Sequence, residues 1–119
     1  MSYDLLFWKQ KPTCTSTPLS IYEALMEEHA VDDLETIPAA EFISRVHQQF
    51  PGIVTDGGLT YWDGGQRGMF EVYSSGKHVH FCCRQLSGED MNTLIDIAAE
   101  FDCPLYDPQT STRYDGSAS

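Results

Sequence analysis

Three side chains with metal-binding chemistry alternate along one short segment: His78, His80 and Cys82. Alternate residues of a β-strand share a face, and imidazole with thiolate is a ligand set typical of zinc. Same-face neighbours on a strand nevertheless lie about 6.5–7 Å apart, which strains three ligands around one ion. A fourth ligand, such as Glu71 from a neighbouring strand, is also required. The sequence therefore predicts outward-facing polar residues and no metal site, with metal binding as the alternative.

A cysteine–histidine pair is the second candidate for chemistry, because a thiol activated by a nearby base is a nucleophile. Cys14 lies in a polar loop before a helix, and His29 and His47 are the bases considered. Only the residue types favour this pair, so a Cys/His hydrolase stays an alternative. Asp56 and Asp63 flank a glycine-rich stretch, which tight turns explain better than paired acid–base chemistry does. We therefore assign no catalytic residue and no cofactor.

The cysteine pattern indicates reduced thiols. The four cysteines form no C-x-x-C pair and no zinc-finger spacing: Cys14, Cys82, Cys83 and Cys103. Cys82 and Cys83 are adjacent in a predicted strand and so point to opposite faces. Packed, unbridged thiols are the expectation for a protein of the cytoplasm.

Hydrophobic periodicity predicts the elements that position these residues. The segment 2–8 is apolar on both faces, which is typical of a strand inside a sheet. Thr17-Pro18 and Ser87-Gly-Glu-Asp90 have the residue types of helix starts. Further strands are predicted at 59–62, 69–73, 77–84 and 104–107, and a further helix begins at Thr36-Ile37-Pro38.

These elements predict an α+β fold with a mostly antiparallel sheet and three helices mainly on one face. The expected order is β-α-α-β-β-β-α-β, a ferredoxin-like variant whose first and last strands lie inside the sheet. Residues 1–109 are expected to form a single domain, with 110–119 a loosely ordered C-terminal tail.

The charge of the chain is strongly acidic, with 18 Asp and Glu against 7 Lys and Arg, a formal net charge of −11. Such a field attracts a basic partner and disfavours nucleic acid, whose phosphates are bound by Lys and Arg. No apolar run reaches the length of a membrane span, and the N-terminus lacks the features of a signal peptide. We therefore expect a cytoplasmic protein that binds neither membrane nor nucleic acid.

Aromatic and acidic residues are predicted to share the open face of the sheet. Trp8, Tyr61, Trp62 and Tyr73 are expected to gather near Asp63, Glu71 and His80. Buried aromatic anchors inside a charged rim are typical of a protein interface. The alternative is that Trp8 and Trp62 complete the hydrophobic core.

Several segments resemble small bacterial proteins of uncharacterised type, and several such proteins resemble immunity proteins of polymorphic toxin and contact-dependent growth inhibition systems. The resemblance lies in Met1-Ser-Tyr-Asp-Leu-Leu-Phe-Trp8, Ile37-Pro-Ala-Ala-Glu-Phe42, Phe50-Pro51 and Ala98-Ala-Glu-Phe-Asp-Cys-Pro-Leu-Tyr-Asp-Pro-Gln109. It implies a cytoplasmic antitoxin that binds and blocks one cognate toxin domain. It implies no catalytic residue.

The sequence therefore predicts an immunity protein, not an enzyme, that neutralises a basic toxin domain such as a nuclease. The alternatives are a small metal-dependent or Cys/His hydrolase and a homodimeric structural module. The predicted partner-binding residues are Asp32, Asp33, Glu35, Trp62, Asp63, Glu71 and Tyr73.

Overall fold

Seven strands pair antiparallel in one sheet within residues 2–114, the part of the chain that the computed structural model describes. The strands are β1 (Ser2–Trp8), β2 (Val54–Asp56), β3 (Leu59–Asp63), β4 (Met69–Ser74), β5 (His78–Arg84), β6 (Leu105–Asp107) and β7 (Thr112–Tyr114). The helices are α1 (Pro18–Met26), α2 (Ala39–Gln49) and α3 (Gly88–Glu100), with a short 3-10 helix at Gly65–Arg67. The predictions of an α+β class and an antiparallel sheet are confirmed.

The sheet order is β2-β3-β4-β5-β1-β6-β7, so β1 lies between β5 and β6. All seven residue pairs of β1 with β5 are in antiparallel register, from Ser2 opposite Arg84 to Trp8 opposite His78. The prediction that the first strand is interior is confirmed. A strand in this position needs apolar residues on both faces, which Leu5, Leu6 and Phe7 supply.

The two faces of β1 pack against different helices. Leu5 and Phe7 belong to a core built with α2 and α3, in which the Phe42 and Phe81 ring centroids are 6.1 Å apart. Leu6 belongs instead to a smaller cluster on the opposite face, which includes Ile21 of α1. The expectation of three helices mainly on one face is therefore corrected: two helices cover one face and α1 covers part of the other.

Local hydrogen bonds account for two of the helix starts. The Ser20 backbone N–H donates to Thr17 Oγ1 at 3.2 Å, and Pro18 occupies the first turn, where its missing N–H is no loss. The Asp90 backbone N–H donates to Ser87 Oγ at 3.1 Å. Both predicted caps are confirmed. None of the three helices within residues 2–114 is long and apolar enough to cross a bilayer.

Two short strands were absent from the predicted order. β2 pairs with β3, and β7 pairs with β6. The expected order and its ferredoxin-like interpretation are therefore not confirmed as stated. The last predicted strand, at 104–107, is β6, which lies inside the sheet between β1 and β7 as expected. The expected loose tail at 110–119 is corrected for Thr112–Tyr114, which form β7, whereas 115–119 lie outside the described residues.

Replacing Gly64 with alanine should destabilise the fold by about 1–3 kcal/mol, as expected for overpacking. A Cβ at this position would lie 2.2 Å from the Trp62 ring, and that ring is held between Phe50 and Phe70. Urea denaturation measures the loss. Gly88→Ala is the matched control, because its Cβ meets nothing within 4 Å. Equal stability of the two variants would contradict this packing.

Candidate functional site

The α1-side face of the sheet is only partly covered, because α1 packs over residues of β1 and β6. The register aligns one residue per strand into a row across the rest of this face. Val54 is opposite Tyr61, Tyr61 opposite Glu71, Glu71 opposite Cys82, and Cys82 opposite Asp4. None of the five is buried.

A second row lies beside the first, because alternate strand residues share a face. It places Tyr73 opposite His80, and the two ring centroids are 5.9 Å apart. The exposed or half-exposed residues of both rows form one surface, which we call the open strip: Asp4, Val54, Tyr61, Glu71, Tyr73, His80 and Cys82.

Hydrogen bonds hold the polar side chains of the open strip in place. The Tyr73 hydroxyl donates to Glu71 Oε2 at 2.7 Å, and this bond raises the pKa of Tyr73. His80 Nε2 and Asp4 Oδ1 are 3.0 Å apart. Both carboxylates are therefore oriented before any partner arrives, which lowers the entropy lost on binding.

The Cys82 thiol lies in the wrong environment for a nucleophile. Partial burial raises its pKa, and the carboxylates of Asp4 and Glu71 raise it further. A reactive thiolate needs a dominant positive charge nearby, whereas Arg84 lowers the pKa of Cys82 by less than any of these effects raises it. All four cysteines are free, and burial raises the pKa of Cys83 to about 12 and that of Cys103 to about 11. The arrangement favours neutral, packed thiols.

The two histidines of β5 bond in different directions, and only His80 shares a hydrogen-bond partner, Asp4, with Cys82. His78 Nδ1 is 2.7 Å from Ser75 Oγ, whereas His80 bonds to Asp4. Within residues 2–114, no group of three or more His, Cys, Asp or Glu side chains is placed to hold a metal ion.

The other candidate chemical groups are also held apart. Cys14 packs in the cluster beneath α1, whereas His47 belongs to α2 on the opposite face of the sheet. His29 pairs with Glu27, with 3.5 Å between His29 Nδ1 and Glu27 Oε2. Asp56 and Asp63 occupy opposite ends of the β2–β3 hairpin, Asp56 beside its turn and Asp63 at the far end of β3. These placements do not form a catalytic pair.

The structure places the two tryptophans in the core. Trp62 is 4 % exposed and faces α2, and its Nε1 donates to the Pro51 carbonyl oxygen at 3.1 Å. Trp8 is fully buried beneath α1. The assignment of Trp62 as a partner-binding anchor is therefore corrected, and the alternative that both tryptophans complete the core is confirmed.

Asp63, Glu71 and Tyr73 share the α1-side face, as the sequence predicted. Asp63 is exposed at the end of β3, where its Oδ1 accepts a hydrogen bond from the Gly65 backbone N–H at 2.9 Å. It also borders a cleft with Arg84. Asp63 therefore has a structural role in the turn and lies beside the open strip on the same face.

The acidic linker between α1 and α2 is separate from the open strip. Asp33 accepts hydrogen bonds from the backbone and hydroxyl of Ser16, and the hydroxyl bond lowers its pKa. Glu35 lies 3.7 Å from Lys9 Nζ. Asp32 is exposed beside a groove that α1 also lines. Two of the three predicted linker carboxylates thus stabilise the linker itself.

Sequence reasoning missed Asp4 as a member of the site. Asp4 alternates with Leu6 and Trp8 on β1, so the strand period already placed it on the face opposite Leu5. Its position beside Cys82 required the pairing register. The alternation of residues along β1 was therefore the sequence signal that could have identified Asp4.

Most basic side chains are already engaged within the chain. Five of the seven Lys and Arg residues contact carboxylates, backbone carbonyls or aromatic rings of the protein itself: Lys9, Arg45, Arg67, Lys77 and Arg113. The carboxylates of the open strip have Tyr73 and His80 as hydrogen-bond partners instead. Arg84, one of the two remaining cations, is exposed two residues after Cys82 on the same face, so the negative strip has one positive charge at its border.

A groove of about 590 Å³ continues the open strip toward the C-terminal end of α1. Met26, Tyr73, His78 and His80 line it. A concave region beside a charged strip is suited to hold a projecting side chain of a partner.

The pH dependence of stability should report the burial of His78. Burial and the nearby His80 lower the pKa of His78 from 6.5 to about 4. Between these values the unfolded chain binds a proton that the folded chain does not, so stability falls as the pH drops from 6.5 to 4. Urea denaturation across this range should show a smaller fall for His78→Gln than for the wild type. Identical pH dependence of the two proteins would contradict the burial of a neutral imidazole.

No family model, no curated protein and no solved structure matches the chain. Its function is therefore inferred from its residues and their geometry.

Proposed function

We propose that this protein is a cytoplasmic immunity protein that binds and blocks a cognate basic toxin domain through the open strip. The observation that carries the proposal is the in-register row of acidic and aromatic side chains, with Glu71 at its centre and Asp4 at one end. The net charge of −11 gives the same preference for a basic partner over a longer range.

The chemistry of the open strip supports a protein partner. Tyr61 and Tyr73 offer large amphipathic rings, which are enriched where proteins meet. Glu71 and Asp4 are fixed by hydrogen bonds, so they present charge in defined positions. Complementary charge accelerates encounter and selects the partner, while the aromatic contacts slow dissociation.

The same charges favour a different protein over a second copy of this chain. A two-fold dimer would place the same face of each subunit against the other. Asp4 and Glu71 of one copy would then approach the acidic strip of its partner, and like charges in an interface cost several kcal/mol.

A hydrolase is less well supported than a binding protein. The Cys82 thiol has a raised pKa between two carboxylates, and His78 has a lowered pKa and bonds to Ser75. Neither group is tuned for nucleophilic attack.

The immunity role itself is supported by the resemblance of four sequence segments to small bacterial proteins of uncharacterised type, several of which resemble immunity proteins. Its mechanism would be occlusion of the toxin's active site by a surface that mimics an anionic substrate. A nuclease is the clearest example, because its substrate-binding groove is basic. In this proposal the four central strands β4-β5-β1-β6 and their connecting helices are a ferredoxin-like unit, to which the remaining strands add.

Co-purification tests this function directly. The protein is expressed with the C-terminal domain of the large secreted toxin that the neighbouring gene is expected to encode. The proposal predicts a one-to-one complex on size-exclusion chromatography and loss of toxin activity at stoichiometric protein. Separate elution, with the toxin still active, would contradict it.

A further inference from the structure

A buried carboxylate lies on the side of the sheet opposite the open strip. Asp107, at the end of β6, is 4 % exposed. It accepts hydrogen bonds from the Tyr3 hydroxyl, from the Gln109 side chain, and from the Gln109 backbone N–H at 2.9 Å. All three donors are neutral.

Within the described part of the chain, no positive group balances this carboxylate. Among residues 2–114, no Lys, Arg or His nitrogen lies within 4.0 Å of Asp107. A buried charge is ordinarily paired with an opposite charge, because hydrogen bonds to neutral donors only partly replace its lost hydration. Asp107 therefore offers an unused electrostatic interaction.

A cleft of about 680 Å³ opens onto Asp107. Its walls are mostly apolar, with Ile95, Ala99 and Leu105 among them. Tyr3 and Tyr114 also line it, and both aromatic side chains are exposed. A volume of this size, with apolar walls and few polar groups, is typical of a small-molecule site.

We propose that this cleft binds a small organic ammonium compound with an apolar body. The ammonium group would lie against Asp107, the apolar body against the wall formed by Ile95 and Leu105, and the tyrosine rings would contact the cation. Aromatic rings combined with a carboxylate are the chemistry that recognises organic cations. The cleft lies on the α3 side, so this proposal stands independently of the open strip and of the proposed function.

Asp102 at the rim does not supply the same interaction. Its carboxylate is 3.8 Å from Lys9 Nζ and is 80 % exposed, so it is shared with a cation and with water. The specificity for positive charge is therefore assigned to Asp107.

Three probes of nearly equal size test the proposal by two-dimensional NMR titration. They are 2-phenylethylammonium, uncharged 2-phenylethanol and anionic phenylacetate. We expect the ammonium probe to bind with a dissociation constant of about 1 mM, as for other ligands of this size, and to shift the signals of Tyr3, Ala99 and Tyr114. The alcohol should bind about tenfold more weakly and phenylacetate should not bind.

Variants locate the charge that is recognised. Asp107→Asn, which keeps the shape of the side chain, should weaken binding of the ammonium probe about tenfold. Tyr114→Ala removes an exposed ring and should weaken binding of the ammonium probe severalfold while leaving the fold unchanged. This second variant therefore tests the site even if Asp107→Asn folds poorly. Asp96→Asn, an exposed residue of α3, is the control and should have no effect.

Equal binding of the three probes, or retained binding in Asp107→Asn and Tyr114→Ala, would overturn the proposal. A capped Gly-Lys-Gly peptide tests whether a lysine side chain is the true source of the cation. Tighter binding of this peptide than of 2-phenylethylammonium would overturn the assignment to a small molecule.

Discussion

Trp62→Ala is expected to lower the free energy of unfolding by about 3–5 kcal/mol, the usual cost of removing a large buried aromatic side chain. The ring packs against Phe50 and Phe70, with ring centroids 5.0 and 5.4 Å away, and the Arg67 guanidinium lies 5.0 Å above it. The loss is a large share of the roughly 5–15 kcal/mol that stabilises a domain. Urea denaturation followed by far-UV circular dichroism measures it.

Tyr61→Ala is the matched control, because Tyr61 precedes Trp62 on β3 and lies on the opposite face. Its half-exposed side chain belongs to the open strip, so its loss should change stability by less than about 1 kcal/mol. Trp62→Phe keeps most of the buried volume and gives an intermediate value if Trp62→Ala does not fold. Equal losses in Tyr61→Ala and Trp62→Ala would contradict the placement of the two faces.

Glu71→Lys is expected to weaken binding to the toxin domain about tenfold or more, because it replaces an attractive charge at the centre of the open strip with a repulsive one. The fold should be unaffected, since Glu71 is not buried and the Tyr73 hydroxyl can donate to water instead. Titration calorimetry with the purified toxin domain measures the change in dissociation constant.

Asp96→Lys makes the same change in net charge on the exposed face of α3, across the sheet from the open strip. It should reduce affinity much less than Glu71→Lys, since screening weakens charge effects beyond about 10 Å. If the two reversals weaken binding equally, then only the total charge matters and the open strip is not the contact surface.

The elements with strong local signals could be predicted from the sequence. The caps at Thr17 and Ser87 fix two helix starts within one turn of chain, and the alternation of 77–84 fixes which face each residue occupies. β2 and β7 carry no such signal. Each has three residues that are mostly polar or exposed, and each forms only because a neighbouring strand offers a free edge.

The side of the sheet that α1 covers could not be predicted in the same way. The apolar stripe of α1 shows which side of the helix is buried, but not against which sheet face. Because β1 is apolar on both faces, it accepts a helix on either one. The connection lengths and the competing apolar faces of α2 and α3 decide between them.

For the candidate site, the sequence predicted the strands that carry it but not the register in which those strands pair. Glu71 and Tyr73 were placed correctly by alternation, whereas Trp62 was not, because Tyr61 and Trp62 are both aromatic and either suits an inward position. The pairing of Trp62 with Phe70 and of Tyr61 with Glu71 resolves the choice, and that register is a long-range property of the sheet.

The association rate constant between this protein and the toxin domain, measured by stopped-flow fluorescence at low and at physiological salt, tests the central claim most directly. Steering by the acidic open strip predicts a rate that falls about tenfold or more as the Debye length shortens from about 30 to about 8 Å, with a much smaller change in the dissociation rate. The absence of a complex, or an association rate indifferent to salt, would contradict the account.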